Sequence, residues 1–338
     1  MTGSLLCLAG VSNSKSGRSY YGFARRTRYG SRMWMKTSRL IVGAVAIVLC
    51  APMACGEPPA PEISTADVEL FYRVYDAANG RPSIEALRRN YLEAGSDGLR
   101  HFIPHRIISA SRLSERIKTK PYVYKKARRC SAVLPAVRAR IATSLARLRT
   151  FLPDAKFPPV IFLIGRNSAG GTTSPAGVLI GVETICRANW LQRNLEDRLV
   201  YLVVHEYIHA QQPEALIKDD PRDWKRSVLE HSLVEGVAEF VGELISGSAS
   251  NTHLQVWTRG REKEISAAFR EQMNGTDVNQ WLYNGVGTRK KPGDLGYWVG
   301  YRIARCYYER ATDKVAAVRE LIELKDPSGI LHGGCLPG

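Results

Sequence analysis

Acidic residues are missing from the first 54 positions, which carry eight Lys or Arg, and this absence accounts for half of the chain's formal charge of +16. From Cys55 onward 40 basic residues face 32 acidic ones, an excess of +8 spread over short clusters such as Lys125-Lys126-Ala127-Arg128-Arg129 and Arg289-Lys290-Lys291. No nucleic-acid-binding motif accompanies these clusters, so they read as solvated faces and no nucleic-acid partner is expected. Apolar runs long enough for a membrane-spanning helix are also lacking. The longest, residues 40–54, has about fifteen residues against the roughly 20 that a span needs. Internal repeats are absent too, which excludes an array of stacked units.

What is present near the N-terminus is an export signal. Trp34-Met35-Lys36-Thr37-Ser38-Arg39 is a short basic region, and the apolar stretch 40–54 after it ends in small residues. Ala54-Cys55-Gly56 resembles a bacterial lipoprotein cleavage site, although Pro52 and Met53 depart from the usual residues. Membrane anchoring through a lipidated Cys55 and ordinary cleavage nearby both stay open. Either way an exported protein of the periplasm or cell envelope is expected. Residues 1–32 fit no structural class, and a start at Met33 or Met35 would give a conventional signal. The expected organisation is therefore an N-terminal extension with signal peptide over 1–54, a Pro-rich linker over 55–63, and a single domain over 64–338. At 44% hydrophobic residues the chain has ample material for a core.

The chemistry is concentrated between residues 199 and 241. His205-Glu206-Tyr207-Ile208-His209 reads H-E-x-x-H within the apolar, helix-compatible run LVYLVVHEYIHAQQ. Residues four apart lie on one helical face, so both imidazoles can supply corners of a tetrahedral zinc site. Such a site needs a third protein ligand from elsewhere. Glu235 is the candidate, on the second amphipathic segment Leu233–Val241, and Glu239 one turn later is placed to accept the other ring N–H of a ligand histidine. Glu206 follows a ligand about 100° round the helix, so its carboxylate can act as general base on the attacking water without binding metal. One Zn2+ per chain is expected. The competing reading of a lone H-E-x-x-H is a surface helix, but here the motif lies in an apolar helix and is followed by Glu235-Gly236-Val237-Ala238-Glu239. His231, one turn before Glu235, is a rival ligand whose simpler role is a local hydrogen bond.

Around these segments the pattern predicts an α+β domain, mostly helical with a small antiparallel sheet ahead of the H-E-x-x-H helix. Helices are expected after Ser64-Thr65, after Pro82-Ser83, over about 106–118 and over 130–151. Residues 159–165 and 177–185 read as two strands of an antiparallel hairpin, with a Gly/Thr-rich turn at 168–174 between them. A strand just before the metal helix is suited to binding an extended peptide by backbone pairing, and Gly171 and Thr172 are substrate-binding candidates. Later helices are expected at about 261–273, from Asp294, and over 313–325.

Residues 64–332 resemble an uncharacterised bacterial family of predicted zinc-dependent proteases of the gluzincin type. The resemblance rests on residues 153–160, Ile164-Gly165-Arg166 with Gly170-Gly171-Thr172, the helix around His205 and His209, residues 235–247, Trp281–Gly285 and Asp294-Leu295-Gly296-Tyr297. It implies a zincin-like domain in which two His and one Glu hold zinc, and a peptide or protein as substrate, but brings no known substrate. It also bears on the oxyanion donor. Tyr297 and Tyr301 share a helical face, so geometry cannot choose between them; gluzincin aminopeptidases carry a stabilising tyrosine in a Tyr-x-x-Gly pattern, which Tyr297-Trp298-Val299-Gly300 matches. Arg166, Trp281 and Tyr283 line the cleft or simply pack.

Peptide hydrolysis is the leading expectation. The alternatives are an aminopeptidase in which Glu183 of Gly181-Val182-Glu183-Thr184 grips the substrate N-terminus, and a non-enzymatic protein with structural zinc. The first uses a motif that is one residue short, and the second leaves Glu206 without a task. Cys130, Cys186, Cys306 and Cys335 form an even set in an exported chain. Their pairing is not legible from spacing; Cys306 with Cys335 is favoured because the Gly-rich tail needs tying down, which leaves Cys130 with Cys186. Buried free thiols are the competing expectation.

Overall fold

Short polar residues open many of the helices by accepting a hydrogen bond from a backbone N–H three residues on, as Ser83, Ser96, Ser109 and Asn194 do. The computed structural model describes residues 61–188, 190–217, 225–249, 251–288 and 290–336. The expected N-terminal extension and export signal, and Cys55, lie outside the described residues. The chain enters the sheet at once: Ile63–Ser64 is strand β1, so the expected linker is already structured at its last residue. Helices α1 (Ala66–Ala77), α2 (Ile84–Leu87), α3 (Asp97–Phe102), α4 (Ala110–Thr119), α5 (Pro121–Cys130) and α6 (Leu134–Phe151) follow, with π-turns at Arg88–Glu93 and Ile103–Ile107.

Strands β2 (Val160–Leu163), β3 (Gly171–Ser174) and β4 (Gly177–Gly181) complete a sheet of order β1-β2-β4-β3. The sheet is mixed, not antiparallel: β2 pairs parallel with β4, and only β3 runs antiparallel to it. Three expectations change with it. The Gly/Thr segment is an edge strand and not a turn, the second predicted strand ends at Gly181, and Val182–Arg187 forms helix α7. The apolar run of β4, buried on both faces, marks an interior strand but not the direction of its neighbours, while Gly-Thr-Thr-Ser has no apolar alternation to reveal β3.

The remaining helices are α8 (Leu195–His209), α9 (Glu214–Ile217), α10 (Val228–Ser246), α11 (Thr252–Trp257), α12 (Glu262–Gln272), α13 (Leu295–Arg310), α14 (Lys314–Glu323) and α15 (Pro327–Gly333). Helix α10 opens on a reciprocal Ser227/Glu230 capping box and stops at Gly247, whose φ of +68° is the left-handed conformation favoured by glycine. Helices α8 and α10 are buried nearly all round. Their apolar side chains join the sheet and α13 in one core. Disulfides link Cys130 with Cys186 and Cys306 with Cys335, the pairing favoured from sequence, and so tie α5 to α7 and the tail after α15 to α13.

Candidate metal centre

Helix α8 brings His205 and His209 onto one face, and α10 crosses it with Gly242 against the His205 backbone, where an added Cβ would lie 3.7 Å from the His205 nitrogen. This crossing delivers Glu235. Its Oε2 lies 3.5 Å from His205 Nε2 and 3.3 Å from His209 Nε2, while the two imidazole nitrogens are 3.1 Å apart. A tetrahedral zinc with bonds of about 2.0–2.1 Å has donor–donor edges of about 3.3 Å. The three distances match that edge, and the donor set of two imidazoles and one carboxylate suits the ion. Among the described residues this is the group of His, Cys, Asp or Glu able to hold a metal.

The electrostatics point the same way. Burial raises the Glu235 carboxyl, but His209 and His205 beside it hold it well below the usual carboxylate range. Burial lowers His209, yet Glu235 outweighs that and leaves it at about 9. The shifts reflect the mutual attraction of the Glu235 carboxylate and the imidazoles packed against it. Burial raises Glu206, while the two histidines oppose the shift. A carboxylate of raised pKa is a better proton acceptor than an exposed one.

Each ligand is held from behind. Gln212 Oε1 accepts from His209 Nδ1 at 2.7 Å, and Gln212 Nε2 donates to the Val234 carbonyl of α10 at 2.9 Å. This holds Nδ1 as the donor to Gln212 and turns Nε2 toward Glu235. The Tyr283 hydroxyl donates to Glu235 Oε1 at 3.2 Å. Glu239 Oε1 sits 3.6 Å from His205 Nδ1, just beyond hydrogen-bonding distance, and accepts from Tyr201 Oη and from Asn251 Nδ2. Gln212 was not assigned from sequence, and Tyr283 was named there only as a residue that lines the cleft or packs. Gln212 had one available signal, its place one turn after His209; no local pattern pointed Tyr283, a loop residue with φ of +56°, at Glu235. Replacing Gln212 with Ala is expected to weaken zinc binding about 10- to 100-fold, the usual effect of losing such a partner. Competition with a chelator measures it.

Beside the ligands, Gly171 of β3 abuts Glu206 so closely that an added Cβ would lie 2.4 Å from Glu206 Cγ, and Thr173 Oγ1 donates to the Glu206 carbonyl at 3.0 Å. Gly181 N–H donates to the Gly170 carbonyl. Bonded pairs alternate in an antiparallel ladder, so Thr172 is bonded to Leu179 while the peptide groups of Gly171 and Thr173 face the free edge. The half-buried ring of Tyr297 on α13 lies 6.4 Å from that of His205, nearly parallel. Burial, and then the charge of Glu235, raise Tyr297 well above its ordinary value, so its hydroxyl stays protonated. Tyr301 turns elsewhere: it packs edge-on against Phe240 and accepts from Arg305 Nη1 at 3.4 Å.

Two further candidates lie apart from the ligand cluster. His231 Nδ1 is 3.4 Å from the Tyr283 hydroxyl, and His231 does not join the metal-binding group. Glu183 is buried on α7, where its two oxygens accept from Gly165 N–H and Asn167 N–H at 2.9 Å each. These bonds occupy the carboxylate on the chain's own backbone, which argues against its holding a substrate amine.

A protein-family model described as "Predicted Zn-dependent protease (DUF2268)" matches residues 144–324, the segment from the middle of α6 through α14 that contains the sheet strands β2–β4, the His205–His209–Glu235 group and Tyr297. No curated protein and no solved structure matches the chain.

Proposed function

The chain belongs to the family of predicted Zn-dependent proteases, and from that premise we propose that it is a peptidase of zincin-like fold, of the gluzincin type, that cleaves peptide bonds at the His205–His209–Glu235 centre after export to the periplasm or cell envelope. The observation that carries this reading is the convergence of the three donor atoms next to a second carboxylate, Glu206, and an open strand edge. When bound by these three side chains, zinc supplies Lewis acidity to the scissile carbonyl and acidity to water. Glu206 takes the proton of the attacking water and passes it to the leaving amine. The Gly171 and Thr173 peptide groups pair with an extended substrate and hold its backbone alongside Glu206. Tyr297 donates a hydrogen bond to the carbonyl oxygen as negative charge develops there.

Purified mature protein is expected to contain about one zinc per chain and to digest a peptide library, losing cleavage with a chelator and regaining it with zinc. Bound zinc without cleavage of any peptide would favour a structural metal instead. Tyr297→Phe is expected to lower kcat by about 10- to 1000-fold at nearly unchanged KM and zinc content. A full-speed Tyr297→Phe with a slow Tyr301→Phe would move the donor one turn along α13.

A further inference from the structure

Resting on the peptidase reading above, the geometry points to a recognition subsite for a substrate carboxylate: we propose that Arg106, assisted by Arg166, binds a carboxylate on the C-terminal side of the scissile bond, either the free C-terminus or an acidic side chain. Arg106 lies outside the residues matched by the family model, so the inference concerns a feature of this chain.

The argument begins with the segment feeding β3. Residues 164–168 lie beside the π-turn Ile103–Ile107: a Cβ on Gly165 would lie 2.9 Å from the Phe102 ring, and Ser168 Oγ donates to the Arg106 carbonyl at 2.7 Å. Contacts at both ends set Arg106 and Arg166 on adjacent stretches of chain. The stretch carrying Arg166 is held rigidly from below. Tyr91 Oη donates to the Ile164 carbonyl at 2.6 Å, Tyr124 Oη donates to the Gly165 carbonyl at 3.2 Å, and Glu183 accepts the N–H groups on either side of Arg166. The buried Glu183 carboxylate thereby gains a use: it presents Arg166.

Both residues are half-buried, and neither side chain forms an ion pair or hydrogen bond among the described residues. Arg166 Nε is buried without a partner. Arg198, by contrast, is satisfied by the carbonyls of Gln192 and Ile185; the buried Arg166 Nε, with the Arg106 guanidinium on the adjacent stretch, offers its donors to an anionic acceptor from outside. Their position selects its place on the substrate. A peptide paired antiparallel to β3 runs, past Glu206 and Gly171, toward residue 168 with its C-terminal half. Ser168 lies three residues before Gly171, at most roughly 10 Å of chain, so the carboxylate belongs within about two or three residues beyond the cleaved bond. Arg106 also acts electrostatically on the Glu206 carboxyl, consistent with a place at the same cleft.

The test uses the zinc-loaded protein and the best-cleaved neutral peptide from the library, shortened to end two or three residues after the cleaved bond. It is compared with a free and an amidated C-terminus, and in amidated form with Asp or Asn after that bond. The parent is expected to show kcat/KM about 10- to 100-fold higher for the carboxylate member of at least one pair, the range for a hydrogen-bonded ion pair. The free-acid pair identifies a terminal carboxylate and the Asp/Asn pair a side chain. Arg106→Gln should bring the ratio within each pair close to one, Arg106→Lys should retain part of it, and Arg166→Gln should reduce it. Because the ratio is taken within one variant, a general loss of fold or a change at Glu206 cancels. Equal rates for both members of both pairs, or a preference that survives Arg106→Gln, overturn the inference and leave the peptidase reading intact; no cleavage of any peptide by the parent overturns both.

Discussion

Glu206→Gln is expected to reduce peptide cleavage about 10²–10⁴-fold while the protein keeps about one zinc per chain, because the residue moves protons and does not ligate. The amide is close in size to the carboxylate and leaves the packing against Gly171 in place, so a fall in rate reports lost basicity. The pH dependence follows from the same carboxyl. Glu206 acts only when ionised, and burial raises its pKa, so activity is expected to fall with decreasing pH through a value above the usual carboxylate range. That acid limb should be traced in kcat/KM for the parent, with zinc content checked at each pH. A Glu206→Gln protein that cleaves at the parent's rate would remove the base assignment; one that loses zinc would make Glu206 a ligand.

Gly300→Val is expected to destabilise the protein by about 3 kcal/mol or more and to impair the centre from a distance. Helices α10 and α13 cross with their backbones in contact: an added Cβ at Gly300 would lie 1.7 Å from the Ser232 carbonyl oxygen, and one at Gly236 would lie 2.1 Å from the Gly300 carbonyl carbon. No side chain can rotate away, because the obstruction is main chain on both sides. The helices must separate, and overpacking of this kind ordinarily costs about 1–3 kcal/mol even where side chains can yield. Glu235 follows Ser232 by three residues and Tyr297 precedes Gly300 by three, so the same displacement separates the metal ligand from the tyrosine. Thermal unfolding, zinc affinity and kcat should all decline in Gly300→Val. Unchanged stability together with unchanged zinc affinity would mean that the crossing is looser than described.

The meeting of His205, His209 and Glu235 was legible because its information is local. His205 and His209 lie on one helical face by the helix period alone, Glu206 follows from the same period, and Glu235 sits on a helix whose Ser227/Glu230 cap and Gly247 stop are written in short-range residue types. Helix boundaries near residues 66, 84, 262 and 314 were readable for the same reason, since caps and breakers act over three or four residues. Sheet direction was not. An apolar strand buried on both faces has the same pattern whether its neighbours run with it or against it, and β3 gained its place from the contact of Gly171 with Glu206, which no local residue pattern announces. Only the tertiary structure decided that Gln212 and Tyr283 hold the ligands, that Glu183 secures the 164–168 segment, and that Tyr297 lies nearer His205 while Tyr301 turns to Arg305. Those assignments depend on where separate elements cross, and the crossing of α10 and α13 is set by the backbone approach that Gly236 and Gly300 permit, a property of the pair that neither helix carries by itself.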